Sequence, residues 1–447
     1  MPKSFSHNQE WKRLGKLTSP MIVSSTWQLF VNLIGTAFIG VLGAVNLASV
    51  AVALAVFSIF SQTAAATAVG YRIVSARRFG PGDRAGVKAA LETMFPILVL
   101  ITLGEALCLW FARPLLVLIS RDPTVVDGAL HYLQFRSPEL VFFAGFLLLQ
   151  TTFNTYGETK WGMYAVLTSG VLNISLSYVL IFGLGPFPGM QLAGAGLASA
   201  LSTLGGLAFL AWCFRRRRLF RIELKRPRRD EARTILRLSS PEIVNQALDY
   251  TGGLVFTALI GLLGISALAA ARVANVVLMT LFVLASNFGL GLQIMMGHSL
   301  GRNDGKEVRN RLVSGRLMTL IVLTVLGLGV SIWSGSIAGL FTRSQSVLSE
   351  AALAIVVVGV TAPFVAWTTT HSGALQALGH TWWNMYSNIA TVWLVQIPVA
   401  YIMGVYLGVG VAGIFVGYFA YFATRATINQ VLVERGTARP VSIPVSR

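Results

Sequence analysis

The feature that most constrains this chain is a series of continuous apolar blocks recurring from one end to the other. Each is about 20 to 25 residues long, enough for a helix rising ~1.5 Å per residue to cross a hydrocarbon layer of ~30 Å. The blocks lack both the polar stripe of a soluble helix and the alternation of a membrane barrel strand. A bilayer core offers the backbone no water, so continuous blocks of this kind read as helices. Twelve spans are predicted, at about 18–42, 48–71, 92–111, 131–154, 160–182, 192–214, 239–263, 270–297, 315–340, 350–374, 382–403 and 408–431. With 12% charged residues, the chain carries half the usual charge of a soluble domain. The first block is too long for a cleaved signal and is read as a permanent helix.

The net charge of +18 is explained by its distribution rather than by nucleic acid. An even number of spans puts both termini on one side, and all but five of the 35 Lys and Arg residues fall there. The exceptions are Arg113, Arg121, Arg136, Arg272 and Arg343. That asymmetry predicts a multi-pass protein of the inner (plasma) membrane with cytoplasmic N- and C-termini. Cys108 and Cys213 fall in the third and sixth spans toward opposite faces, which argues against a disulfide. No Cys/His spacing suggests a metal site.

The chain also repeats itself. LTSP ending at Pro20 recurs as LSSP ending at Pro241, and Gly40 and Gly43 recur as Gly261 and Gly264. Gly80 and Asp83 recur as Gly301 and Asp304, so every one of these pairs is 221 positions apart. Later the register drifts: Arg121 pairs with Arg343, Gly157 with Gly379, and the AG at 193–194 with the AG at 412–413. The predicted organisation is a cytoplasmic segment 1–16, a six-helix lobe 17–214, a basic linker 215–237, a second lobe 238–431 and a tail 432–447. Six spans per repeat bring both halves in from the same side. The expected fold is therefore an all-α integral membrane protein of twelve transmembrane helices. Its two pseudo-twofold-related bundles would surround a central cavity and alternate access to it.

These motifs resemble the multidrug and toxic compound extrusion (MATE) transporters over nearly the whole chain. The resemblance is carried by Pro20, FIGVLGAVNLASVAVA, RRFGPGD, YGETK, VLNISLSYVLIFGL and LAGAGLAS in the first half. In the second half it is carried by Pro241, IGLLGISALAAARVA and GHSLGRND. It implies export of organic, hydrophobic or cationic compounds driven by inward H⁺ or Na⁺. Two acids common in the family are replaced here. Gly35 stands at the first-helix position and Val365 at the tenth-helix position, while the seventh-helix acid is present as Asp249.

Asp249 is the expected ion-coupling residue on physical grounds as well. It lies about 12 Å along its helix from Pro241, with Asn245 one turn and Glu242 two turns before it on the same face. A carboxylate at that depth is expensive unless it faces a cavity and is protonated, paired or ion-bound. Subtracting the repeat offset from 249 gives Gln28, which opens a polar stripe with Asn32 and Thr36. The resemblance marks Asn173 as part of the same lobe's polar site. Gln28, Asn32, Asn173, Asn245 and His371 are the expected substrate-binding residues; interhelical hydrogen bonding is the bland reading of each. Glu105 is expected to reach the outer interface or pair with Arg113, and Glu139 to pair with Arg136 near the outer surface.

The leading functional reading is a cation-coupled secondary antiporter, with a lipid or lipid-linked flippase of the same superfamily as the alternative. An enzyme finds no support, because no Walker loop or HExxH motif occurs. The expected partners are small organic substrates and membrane lipids, not nucleic acid, and a monomer is expected. No cofactor or metal is expected beyond H⁺ or Na⁺ as the coupling ion.

Overall fold

The computed structural model describes residues 7–183, 189–220, 223, 227–437 and 441, and every regular element among them is helical. The chain divides into two compact units. One comprises Ser19–Ser240, and the other joins Met1–Thr18 to Pro241–Pro444.

Helix α1 (His7–Val41) enters the first unit at Ser19. It is followed by α2 (Ala44–Thr67), α3 (Val69–Phe79), α4 (Arg84–Trp110), α5 (Arg113–Ile119) and α6 (Pro123–Arg136). Next come α7 (Pro138–Thr155), α8 (Thr159–Phe182) and α9 (Gln191–Arg216). Its apolar core includes Val50, Val56 and Phe57 of α2, Leu133 of α6 and Leu192 of α9.

The second unit takes up α10 (Arg229–Gly261) from Pro241 onward. It continues through α11 (Ile265–Gly301), α12 (Gly305–Ile332), α13 (Ser334–Phe341) and α14 (Gln345–Ala377). It ends with α15 (Thr381–Thr391), α16 (Ile397–Ala400) and α17 (Val411–Thr437). Helix α14 is the centre of this bundle, packed on α11, α12 and α17. Glycines let the backbones meet there: Gly289 faces Gly373, and Gly327 faces Gly359, with no room for a Cβ. Wide π-helical turns at Val392–Gln396 and Tyr401–Tyr406 flank α16, which holds Pro398. Proline's missing N–H breaks the regular ladder, and local π turns absorb the break.

Ten of the helical segments are long and apolar enough to cross a membrane on length and composition alone. The consecutive pair α6–α7 and helix α10 complete twelve crossings in two six-helix bundles. The α6–α7 crossing is divided at Ser137 into pieces of 14 and 18 residues, where one span over 131–154 was expected. Helix α10 is continuous, but Glu242, Asn245 and Asp249 break its apolar run.

The repeat is visible in the backbone. Gly43 and Gly264 precede α2 and α11 with φ of +105° and +102°, a region that L side chains avoid. Asp83 and Asp304 cap the next helices, accepting from the Gly86 N–H at 2.7 Å and the Glu307 N–H at 2.9 Å.

The first helix of each half is exchanged between the units. Residues 7–18 pack with the later half: Trp11 donates to the Ser314 carbonyl at 3.0 Å, and Glu10 pairs with Arg311 at 3.5 Å. Residues 229–240 stay with the earlier half. There Glu231 pairs with Arg78, and Ser239 Oγ accepts from the Gly70 N–H at 3.0 Å. Glu10 and Glu231, Thr18 and Ser239, and Gly70 and Gly291 are all 221 positions apart, so the exchange follows the repeat. The basic stretch expected as a linker over 215–237 is correspondingly helical at both ends, with α9 reaching Arg216 and α10 starting at Arg229.

A Cβ on Gly70 would stand 2.1 Å from the Ile235 carbonyl oxygen, a backbone atom. On Gly291 the nearest atom, 2.4 Å away, is the Thr18 methyl. Gly70→Ala should therefore cost about 1–3 kcal/mol, and Gly291→Ala less, because a side chain yields more easily. Thermal unfolding of the purified variants checks the order. Equal losses would contradict the backbone contact at Gly70.

Candidate functional site

In the second unit, α10 places Glu242, Asn245 and Asp249 on one face at successive turns. Helix α15 brings Asn384 and Asn388 to them, and α17 brings Tyr421 and Arg425. Asn388 Nδ2 donates to Asp249 Oδ1 at 2.6 Å and to Asn245 Oδ1 at 2.7 Å. Asn245 Nδ2 donates to the other Asp249 oxygen at 3.4 Å. Behind them, the Tyr421 hydroxyl donates to Asn388 Oδ1 at 2.5 Å, and Arg425 donates to that hydroxyl. Arg425 also reaches Asn384 Oδ1 at 3.4 Å, and Asn384 donates to Glu242 at 3.1 Å. Asn388 and Asn384 are 1% and 3% exposed, whereas Asp249 itself is exposed. The carboxylate thus stands at the open end of a buried relay that terminates on a fixed cation.

In the first unit a cavity of about 540 Å³ is lined by Gln28, Asn32, Thr36 and Asn173. Gln28 donates to Asn32 Oδ1 at 3.4 Å, and Asn173 donates to Ser202 at 3.2 Å and Ser199 at 3.4 Å. Gly35 lines the same cavity, so the missing first-helix acid leaves open wall. Its charged residues are Arg136 and Glu139, paired at 2.6 Å, with Tyr132 beside them.

Of the expected site residues, Gln28, Asn32 and Asn173 meet in this cavity, and Asn245 and Asp249 meet in the other unit. His371 joins neither group. It is 1% exposed, bonded through Nδ1 to the Trp367 carbonyl at 2.7 Å and stacked on the Trp367 ring. That back-bond along α14 ties the imidazole to its own helix. The expected partner of Glu105, Arg113, pairs instead with Asp127 at 2.9 Å, and one buried oxygen of Glu105 has no partner among the described residues. Glu139 does pair with Arg136, and both line the cavity. Both cysteines are free thiols.

Sequence reasoning missed Asn384, Asn388, Tyr421 and Arg425. A signal existed: Asn384, Ser387, Asn388 and Thr391 are polar at helical spacing within an apolar block, as are Tyr421 and Arg425 four apart. By sequence alone Arg425 reads only as a topology-setting charge.

The sequence model of the MatE family matches residues 20–179 and 241–402. Relatives include the probable multidrug resistance protein NorM of Thermotoga maritima, 24% identical over 433 residues that cover 95% of this chain and 92% of that protein. NorM of Pseudomonas aeruginosa is 26% identical over 449 residues, covering 96% and 90%. Among solved structures, a mutant of the Vibrio cholerae MATE transporter VcmN superposes with a TM-score of 0.89 at 19% identity, covering 96% of this chain and 97% of that one. A MOP superfamily transporter from Pyrococcus furiosus superposes with a TM-score of 0.88, also at 19% identity, covering 96% of each chain. With both halves of the repeat matched separately by one family, and twelve helices in two bundles, this multi-pass chain belongs to the MATE transporter family.

Proposed function

We propose that the protein is a cation-coupled secondary exporter that exchanges inward H⁺ or Na⁺ for outward movement of organic compounds by alternating access. The observation that carries this reading is the relay from exposed Asp249 through Asn388 and Tyr421 to Arg425. An acid at the open end of such a relay can bind a proton or ion. The fixed guanidinium behind it stabilises the carboxylate once that ion leaves. The names of the NorM relatives support drug-like organic substrates. Gln28, Asn32, Asn173 and Asn245 are the polar groups proposed to meet substrate, and His371 is withdrawn to a helix-packing role. The charge asymmetry supports an inner-membrane location with both termini cytoplasmic.

The flippase alternative would gain from an arginine-rich cavity. Among the described residues, Arg136 is the only arginine in the wall of the first-unit cavity, and Glu139 engages it. That arrangement favours the exporter.

The test is transport by purified protein in proteoliposomes, with pH and Na⁺ gradients imposed separately. Uphill movement of a lipophilic dye under one gradient supports the proposal; movement independent of both contradicts it. Asn173→Ala removes an amide that cannot titrate. It should change dye affinity or rate several-fold while leaving gradient dependence intact, and complete uncoupling by that change would place the coupling group in the first unit.

A further inference from the structure

The first-unit cavity contains a fixed dipole rather than a single charge. Arg136 Nε donates to Glu139 Oε2 at 2.6 Å, its Nη2 reaches Oε1 at 3.5 Å, and its Nη1 donates to the Tyr132 hydroxyl at 2.5 Å. The ring of Phe57 covers the guanidinium carbon at 4.1 Å. Thr203 donates to Glu139 at 3.4 Å. Both charged side chains are 15% exposed, and both line the cavity.

A guanidinium has five N–H donors, and the contacts above use three, which leaves two for a ligand. Glu139, by contrast, already accepts from Arg136 on both oxygens and from Thr203 on one. An organic cation entering this space would meet Arg136 at close range and would have to compete with it for Glu139. In a partly desolvated site such like-charge approach is disfavoured, because the guanidinium is screened less than in water. A lone anion gains Arg136 but meets the unshared lone pairs of Glu139. A molecule with no net charge, and with an acceptor oxygen beside an apolar body, meets neither penalty. Its oxygen takes the free N–H groups, its body lies on the apolar wall that includes Phe57 and Phe146, and any ammonium it carries falls toward Glu139. The volume, about 540 Å³, is in the range of ~300–1,000 Å³ for small-molecule sites.

We infer that this cavity binds an overall uncharged amphiphile, neutral or zwitterionic, and that the Arg136–Glu139 pair is what discriminates against organic cations. This rests on the export reading for its physiological meaning, but the binding it asserts is measurable without any transport.

The test uses full-length protein in nanodiscs and four fluorescent probes sharing one body. They are Nε-dansyl-lysine (zwitterion), its methyl ester (cation), its Nα-acetyl derivative (anion) and the Nα-acetyl methyl ester (neutral). Equilibrium titration of the wild type should show the zwitterion and the neutral probe binding at least tenfold more tightly than the cation. Arg136→Gln leaves Glu139 alone and should reverse the order in favour of the cation. Glu139→Gln leaves Arg136 alone and should favour the anion at least tenfold over the cation. The double variant Arg136→Gln/Glu139→Gln carries no unpaired charge and should bind all four within about threefold, so it keeps the proposal testable if a single variant folds poorly. Wild-type protein that binds the cation as tightly as the zwitterion would overturn the inference. So would failure of all four probes to saturate, or discrimination that persists in the double variant. A transport assay that fails while this binding order holds would instead remove the export reading alone.

Discussion

Asp249→Asn should fold, bind substrate and lose gradient-driven efflux by at least an order of magnitude. Asparagine keeps the size of the side chain and one acceptor oxygen, so the 2.6 Å bond from Asn388 can persist while the longer one from Asn245, at 3.4 Å, is given up. What it loses is the ability to exchange a proton or to hold a cation against the charge of Arg425 at the far end of the relay. Coupling requires that the acid's affinity for the ion differ between the outward- and inward-facing states, through different solvation or partners. An amide has no such affinity to change. Asp249→Glu, one methylene longer, should retain partial transport. Efflux assays on protein reconstituted at matched density check both variants, and wild-type uphill transport by Asp249→Asn would place the coupling group elsewhere. Glu105, with its unpartnered buried oxygen, would then be the next acid to test.

Glu231→Ala should destabilise the fold more than any other single change considered above, by about 3–5 kcal/mol. Glu231 and Arg78 are 7% and 8% exposed, and Arg78 holds, besides Glu231, the Gly86 carbonyl at 2.7 Å. Removing the carboxylate leaves a buried guanidinium without its counter-charge. The repeat supplies a control. Glu10→Ala removes the equivalent acid, but Arg311 keeps Glu307 at 2.7 Å, so the loss there should be much smaller. Replacing both partners, in Arg78→Met/Glu231→Leu, should recover most of the stability, because an apolar pair leaves no orphaned charge. Thermal unfolding in one detergent compares all three. If Glu10→Ala and Glu231→Ala unfold alike, the difference in their partners has no energetic weight.

The contrast between these acids shows what the sequence could and could not disclose. Block length and the lack of alternation dictated the helices, since only helices and closed barrels satisfy the backbone in hydrocarbon. The 221-residue offset marked the positions where Gly43 and Gly264, and Asp83 and Asp304, share conformation and cap geometry. The same offset linked Glu10 to Glu231, yet nothing local revealed that each packs with the opposite half, because that depends on the path of the assembled chain. The roles of Arg136 and Arg425 escaped the sequence for a related reason. Hydropathy assigns a charge to a side of the membrane by its place in the sequence, and is blind to the direction of the side chain. Arg136 is the last residue of α6, and its side chain lines a cavity. Asp249 was legible because it lies deep in an apolar block, at the end of a polar stripe with Glu242 and Asn245. Its partners on α15 and α17 are some 140 to 175 residues away, beyond any periodicity.

Ion movement driven by substrate tests the central claim most directly. Proteoliposomes with a pH-sensitive dye inside, or with ²²Na⁺ outside, are given a substrate gradient and no ion gradient. The account predicts that substrate leaving along its gradient draws one of the two ions the opposite way in wild-type vesicles, and that Asp249→Asn abolishes that ion flux. Substrate movement in wild-type vesicles with neither H⁺ nor Na⁺ countermovement would contradict it.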